Sequence, residues 1–508
     1  MIIFAKYLLT KNEFCLLLVF VGIIVISIAI LEYLSQKKVL HCELSRKLLH
    51  IIAISSAGFS IFYISDSSEI VKIGLGAVII LALAIKMEVI NNIENQNRKS
   101  WGIVYVAISY FVLGILWKGE NIWIIFPSLL ILAFADSFAA IGGYFFAKEY
   151  LNIGNDKKSY LGSAIFFCVT FLMLIIFSQI KFESFSKWNF YFEFDYYFIF
   201  SAFFIAFILT LTEAISTGGF DNFTVPILAS VLIYTFYDKK DFSLIINFAV
   251  AFILAFLVSW SSYKFKFLNR SGAVAAFLLA VIIFSLGGLK WTIPILVFFV
   301  FSSVLSKFRV NQNPEIETLF DKSGTRDRMQ VFSNGGLAGI LMLLFAIEKQ
   351  NYIYLLYIAA IATVCADTWA TETGTIKKQN TFNILNFKPI IQGQSGGISL
   401  VGTLGALLGS SIIALSGILW LNEDVVKYFF VISVIGLVGS LFDSFLGATF
   451  QVLYRCKICG KITERKNHCD IDTDYYKGIN FMNNDAVNFL ASVFGVGLMQ
   501  ILILITER

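Results

Sequence analysis

Ala135-Asp136-Ser137-Phe138-Ala139 closes one long apolar run, and Ala366-Asp367-Thr368-Trp369-Ala370 closes another in the second half of the chain. In both copies a carboxylate stands among small residues near the end of a stretch apolar enough to cross a bilayer. A charge in such a run costs roughly 2.5–3.5 kcal/mol on insertion scales, so an ionisable residue there marks a functional site by default. One such Asp is readily a helix cap at the membrane interface. Two in the same context point to chemistry carried out twice.

The repeat extends past the phrase. Glu213 follows Asp136, and Asp443 follows Asp367, at intervals that differ by a single position. Asp221-Asn222 and Asn484-Asp485 then each open an apolar segment, through Leu228-Ala229-Ser230 and Leu490-Ala491-Ser492. Upstream, Ser100-Trp101-Gly102 and Asn334-Gly335 stand in corresponding places. A period of almost half the chain is far longer than a solenoid unit and predicts two related membrane domains in one chain.

Composition agrees. Of 508 residues 58% are hydrophobic and 14% charged. Runs of about 20 apolar residues recur, the length a bilayer helix needs, and alternating barrel strands are absent. The fold class expected is all-α, a polytopic helical membrane protein of about sixteen transmembrane helices in two parallel halves. The first apolar run has no small-residue cleavage site and is expected to be retained. The eighth, at 223–237, is short enough to be re-entrant. The seven Cys are mostly scattered through apolar segments, which fits a reduced compartment.

Basic residues orient the chain. With sixteen segments, 27 of the 39 Lys and Arg fall on one face, which the positive-inside rule makes cytoplasmic. Both termini are then outside, and Asp136 and Asp367 both face the cytoplasm. The expected domains are 1–262 and 263–508, the second with a Cys-rich cytoplasmic loop at 452–483. The net charge of +5 reports loop topology and gives no sign of a nucleic-acid partner.

Most unusual residues collect on that face. Arg46, Lys47 and His50 lie on neighbouring turns of a helix start. Lys158-Ser159 precedes Gly162-Ser163, where backbone N–H groups and a lysine suit a phosphate. The second half offers Lys322, Arg326 and Arg328, then Asn334, then the turn Gly393-Gln394-Ser395-Gly396-Gly397, whose bare amides suit an anion. No GxxxxGK[ST] phosphate loop and no HRD or DFG kinase motif occurs in the chain. Cys456 and Cys459, followed by His468-Cys469, have metal-ligand character. Adjacent residues serve one ion poorly, so the spacing predicts Cys456, Cys459 and either His468 or Cys469 on a structural Zn²⁺.

The first half resembles the dolichol kinase and phytol kinase family of membrane CTP-dependent kinases. The resemblance rests on Arg46-Lys47-x-x-His50, Gly102 with Tyr105, Ala135-Asp136-x-x-Ala139, Lys158-Ser159-x-x-Gly162-Ser163, and Glu213 through Asp221-Asn222 to Pro226. Leu161 stands where that family carries an acidic residue. The second half resembles the phytyl-phosphate kinase family. There the carriers are Ser271-Gly272-Ala273, Arg328 with Asn334-Gly335, Ala366-Asp367-Thr368-Trp369-Ala370-x-Glu372-x-Gly374, Gln394-Ser395-Gly396-Gly397, Asp443-Ser444-x-x-Gly447 and Asn484-Asp485-x-x-Asn488.

Together the resemblances imply two consecutive steps, from an isoprenoid alcohol such as phytol or geranylgeraniol to its monophosphate and then its diphosphate. They imply CTP or another NTP as donor. Phosphoryl transfer needs positioning, Mg²⁺ across the phosphates and cations against the developing charge. The expected catalytic set is Asp136, Glu213, Asp221 and Asn222 in the first half, and Asp367, Glu372, Asp443, Asn484, Asp485 and Asn488 in the second, with Asp136 and Asp367 on Mg²⁺. Arg46, Lys47, His50, Lys158, Ser159, Gly162 and Ser163 are expected on the nucleotide and phosphates. So are Lys322, Arg326, Arg328, Asn334, Gln394, Ser395, Gly396 and Gly397. The alternatives are a CTP-dependent lipid cytidylyltransferase and a parallel-repeat transporter.

Overall fold

The computed structural model describes residues 11–64, 66–86, 101–153, 156–184, 187–190, 195–314, 325–421 and 424–506. Helices dominate it, and ten of the described helices are long and apolar enough to cross a membrane. The protein is a polytopic helical membrane protein. The chain packs as two compact units, Met1–Ile245 and Ile246–Arg508.

The first unit contains α1 (Lys11–Gln36), α2 (Cys42–Ser60), α3 (Ser67–Lys86), α4 (Gly102–Leu116), α5 (Asn121–Phe146), α6 (Tyr160–Ser178), α7 (Tyr196–Ile215) and α8 (Asp221–Lys239). The division falls in the first turn of α9 (Phe242–Lys264), whereas the sequence placed the domain boundary near its last. The second unit continues with α10 (Arg270–Gln312), α11 (Arg328–Glu348), α12 (Tyr352–Ile376), α13 (Leu400–Ile418), α14 (Val425–Thr449) and α15 (Asn484–Thr506).

The apolar pattern expects two segments where α10 runs for 43 residues. The chain resolves this at Gly288, whose φ of 64° and ψ of −158° suit glycine almost alone. Arg326 proves that the chain reverses there. Its backbone pairs with Phe267 and Asn269 at 3.0 Å, and its guanidinium donates to Ser303 Oγ at 3.4 Å. A straight helix would hold residues 269 and 303 roughly 50 Å apart. The limbs on either side of Gly288 are therefore an antiparallel hairpin. Tyr354 OH ties its tip down, donating to Lys290 O at 3.0 Å and Gly417 O at 3.1 Å.

The two helices that carry the repeated phrase are the most enclosed of the ten. The apolar windows of α5 and α12 are each 78% buried, against 28–61% for the other eight. In α12 the cause is visible in its neighbour. Gly402, Gly405 and Gly409 form one stripe of α13, and a Cβ on each would lie 3.0, 2.9 and 3.0 Å from the carbonyl oxygens of Ala370, Trp369 and Cys365. Small residues let helices approach this closely where the bilayer offers no hydrophobic drive.

Short strands, not expected from the sequence, order the described loops. They include the hairpin Tyr150–Ile153 with Asp156–Ser159 and a three-stranded sheet from Thr381–Asn383, Pro389–Ile390 and Gly397–Ile398. A further three-stranded sheet and a hairpin lie between α14 and α15.

Candidate functional site

In the first unit the site forms around Asp136, the last residue of a π-helical turn within α5. Such wide turns recur at functional positions because they re-aim side chains. Lys47 and His50 share a face of α2. Lys47 Nζ donates to Asp136 Oδ2 at 2.6 Å, and His50 Nε2 lies 3.3 Å from the same oxygen. Arg46, one residue earlier, is turned about 100° round the helix. It pairs with Glu43 at 2.8 Å and is 55% exposed, so it does not join the cluster.

From the other side Lys158 reaches in off the strand Asp156–Ser159. Its ammonium binds Glu213 at the end of α7 and Asp221 at the start of α8, the latter at 2.8 Å. Burial disfavours the ammonium, but Asp221 and Glu213 outweigh it and hold the Lys158 pKa above the usual lysine range. Asp136, Glu213 and Asp221 are all buried, and each offers an oxygen within 4.8 Å of the others. Asn222 turns elsewhere: its amide donates to Gly102 O at 3.0 Å and ties α8 to α4. Ser159 caps α6, accepting from Gly162 N at 3.0 Å, while Ser163 Oγ beside it is buried without a hydrogen-bond partner.

In the second unit the expected residues surround a cavity of about 250 Å³. Asp367 and Glu372 from α12, Asp443 from α14, and Asn484, Asp485 and Asn488 from α15 line it. Arg326, Asn334 and the Gln394–Gly397 turn complete that wall. Arg328 is not among the lining residues; its backbone N–H donates to Ser271 Oγ at 3.4 Å. Lys322 and, upstream in the first half, Ser100 lie outside the described residues. Asn488 donates to Asn334 Oδ1 at 3.3 Å, joining α15 to α11. Asp367 and Asp443 interact directly, and Asp443 Oδ2 is buried with no hydrogen-bond partner. Gly396, at φ 81°, passes so close to α14 that a Cβ would lie 2.5 Å from that of Ala448.

Two residues here were not found from sequence. Arg309 Nε donates to Glu372 Oε2 at 2.7 Å in a buried pair, and Glu464 accepts from Ser395 Oγ at 2.7 Å and from Gln451 Nε2 at 2.8 Å. Removing one member of a buried pair leaves the other uncompensated. Arg309→Met should therefore destabilise the protein by roughly 3 kcal/mol, and adding Glu372→Leu should recover much of that loss. Thermal unfolding in detergent reads both; equal stability of the two variants would remove the pair from the account.

The two sites share a frame. Three positions after the Asp come Ala139 and Ala370, and seven after it Gly143 and Gly374. Ser159 and Ser399 each cap the next helix by accepting from Gly162 N and Gly402 N, at 3.0 and 3.1 Å. A Cβ on Gly162 would meet Ala139 O at 3.0 Å, as one on Gly402 would meet Ala370 O. Ser399 and Gly402 escaped notice because the chain from Asp367 to its cap is longer than the chain from Asp136 to Ser159, which breaks the register of the repeat. The signal was a Ser-x-x-Gly downstream of each Ala-Asp-x-x-Ala.

Residues 253–496, which contain every residue named in the second site, match the family described as integral membrane protein DUF92. Protein PGR of Arabidopsis thaliana is 30% identical over 275 residues, 48% of this chain and 95% of the plant protein. The chain belongs to the DUF92 family of integral membrane proteins. It is also similar to Protein VTE6, chloroplastic, of the same plant, 26% identical over 208 residues, 40% of this chain and 62% of that protein. Phytol kinase of a Synechocystis strain is 25% identical over 217 residues, 42% of this chain and 86% of that protein. No solved structure matches the chain. The relatives of this DUF92 chain thus include a protein named phytol kinase.

Proposed function

We propose that this protein is a bifunctional membrane phosphotransferase that converts an isoprenoid alcohol to its monophosphate and then its diphosphate, with CTP or another NTP as donor. The observation that carries the reading is the repeated frame: each unit sets an Asp on its most enclosed helix and gathers further carboxylates and cations around it. The similarity to a protein named phytol kinase supports the alcohol as first acceptor.

The residues suit Mg²⁺. Three buried carboxylates within 4.8 Å of one another in the first unit, and the unpartnered Asp443 Oδ2 in the second, are hard oxygen donors of the kind it takes. Bound there, Mg²⁺ would neutralise charge across the donor phosphates. The protein's own part is positioning. Lys47, His50 and Lys158 would share phosphate oxygens with the carboxylates they now face. Arg326 with the Ser395 and Gly396 N–H groups would do so in the second unit, since Gln394 N and Gly397 N already donate to backbone carbonyls. A membrane-level site lets the isoprenoid tail stay in lipid while the nucleotide arrives from water.

Purified protein given radiolabelled CTP or ATP with phytol, farnesol or geranylgeraniol should yield labelled mono- and diphosphates. A CDP-lipid product would identify a cytidylyltransferase instead, and no product with any acceptor would count against catalysis. The cytoplasmic orientation rests on the 27-of-39 charge split. Cysteines introduced at 157, 325 and 465 should resist an impermeant thiol reagent in intact cells and react after lysis; labelling before lysis would reverse the topology.

A further inference from the structure

Between α14 and α15, Cys456, Cys459, His468 and Cys469 bring one ligand atom each within 4.8 Å of all the others. Cys459 Sγ lies 3.6 Å from His468 Nδ1, and Cys469 Sγ lies 3.2 Å from it. A tetrahedral ion with Zn–S near 2.3 Å and Zn–N near 2.0 Å spaces its donor atoms by roughly 3.5–3.8 Å. The cluster is thus already close to the size of such a shell.

Two backbone devices build it. Cys456 follows the strand Leu453–Arg455, donates its N–H to Lys461 O and accepts from Gly460 N, both at 3.0 Å. With Gly460 at φ 67°, this tight turn brings Cys459 back beside Cys456. The other device answers the objection that adjacent residues serve one ion poorly. His468 ends a strand that pairs with Ile471–Asp472, and the two turn residues, Cys469 and Asp470, both have positive φ, 54° and 59°. A two-residue hairpin turn of this hand normally takes Asn or Gly. A Cys held there has its thiol brought to the ring of His468, where a plain strand would send the neighbours to opposite faces.

We propose that Cys456, Cys459, His468 and Cys469 together hold one Zn²⁺ in a closed structural site. Four protein donors leave no open position, so the ion organises rather than catalyses. What it organises is Glu464, which stands midway between the two ligand pairs in the chain. Glu464 accepts from Ser395 of the glycine-rich turn and from Gln451. The ion therefore anchors the loop that holds one wall of the cavity, whatever reaction the cavity performs.

Full-length protein purified in detergent without chelators should contain about one zinc per chain. Cys459→Ser and His468→Ala should each lower the content about tenfold, while Cys42→Ser and Cys168→Ser leave it unchanged. To avoid reliance on variants that lose their fold, zinc in the wild-type chain should be exchanged for Co²⁺, which should develop the visible and thiolate charge-transfer bands of a tetrahedral sulfur site. Stripping the metal should also speed tryptic cleavage at Arg465 and Lys466, and zinc should restore protection. Folded wild-type protein without metal, a Cys456–Cys459 disulfide by mass spectrometry, or octahedral cobalt spectra would each overturn the site. Cleavage indifferent to metal would overturn the anchoring role.

Discussion

Asp136→Asn should cut phosphorylation of the alcohol roughly a thousandfold or more, while conversion of supplied monophosphate to diphosphate continues. On the proposed function, the variant would lose a carboxylate that holds metal and orients phosphates, worth several kcal/mol of transition-state stabilisation. Asn keeps the shape of the side chain and can still accept from Lys47. The sequence alone suggests that removing a membrane-level charge would spare the fold. The structure changes that expectation, because Lys47 donates to Asp136 at 2.6 Å with His50 alongside. Neutralising Asp136 leaves that ammonium without its counter-charge, so some stability should go as well. Lys47→Met in the same chain should restore stability without restoring activity. Recovery of both would make Asp136 a structural partner of Lys47 and nothing more.

Asp367→Asn should do the reverse: the monophosphate accumulates and the second step falls by a similar factor. Its structural consequence should be opposite in sign. No lysine is bonded to Asp367 among the described residues; its direct partner is another carboxyl, that of Asp443. An Asn there can keep the hydrogen bond to the Asp443 carboxyl and leaves no charge to bury, so the variant should unfold no earlier than the parent. Both variants need one shared check, monodispersity in detergent. Should either lose both steps while still monodisperse, the chain would have one site, with the other unit as scaffold.

The helical layout could be read from the sequence because bilayer crossing demands apolar runs of a set length. Even the pair hidden in the 43-residue α10 was visible as two runs flanking Gly287-Gly288. The carboxylates were legible for the same reason: a charge in such a run stands out. What the sequence could not show was partner choice. Arg46 and Lys47 are equivalent as text, and only helical phase sends one to Glu43 and the other to Asp136. Arg309 read as one more positive-inside charge, since its pairing with Glu372 crosses 63 residues of chain. Glu464 sat in a loop of Lys and Arg with nothing to distinguish it until the fold laid it on Ser395. The His468-Cys469 pair looked unfavourable for one ion because a left-handed turn cannot be seen in two letters.

The reversal at Gly288 bears on how the protein is made. The limb from Arg270 to Gly287 is about 27 Å long, enough to span the hydrocarbon on its own. The limb that begins at Leu289 leaves from the same point. Lys290 is the one charge near that tip, and its ammonium rests 4.3 Å over the Tyr354 ring. Almost nothing hydrophilic has to be carried across the bilayer between the limbs. Each satisfies its own backbone hydrogen bonds, so the two can leave the translocation channel together as a single hairpin. On the proposed cytoplasmic orientation, the basic residues at the hairpin's open end, Arg270 and Arg309, would set which way the second unit inserts.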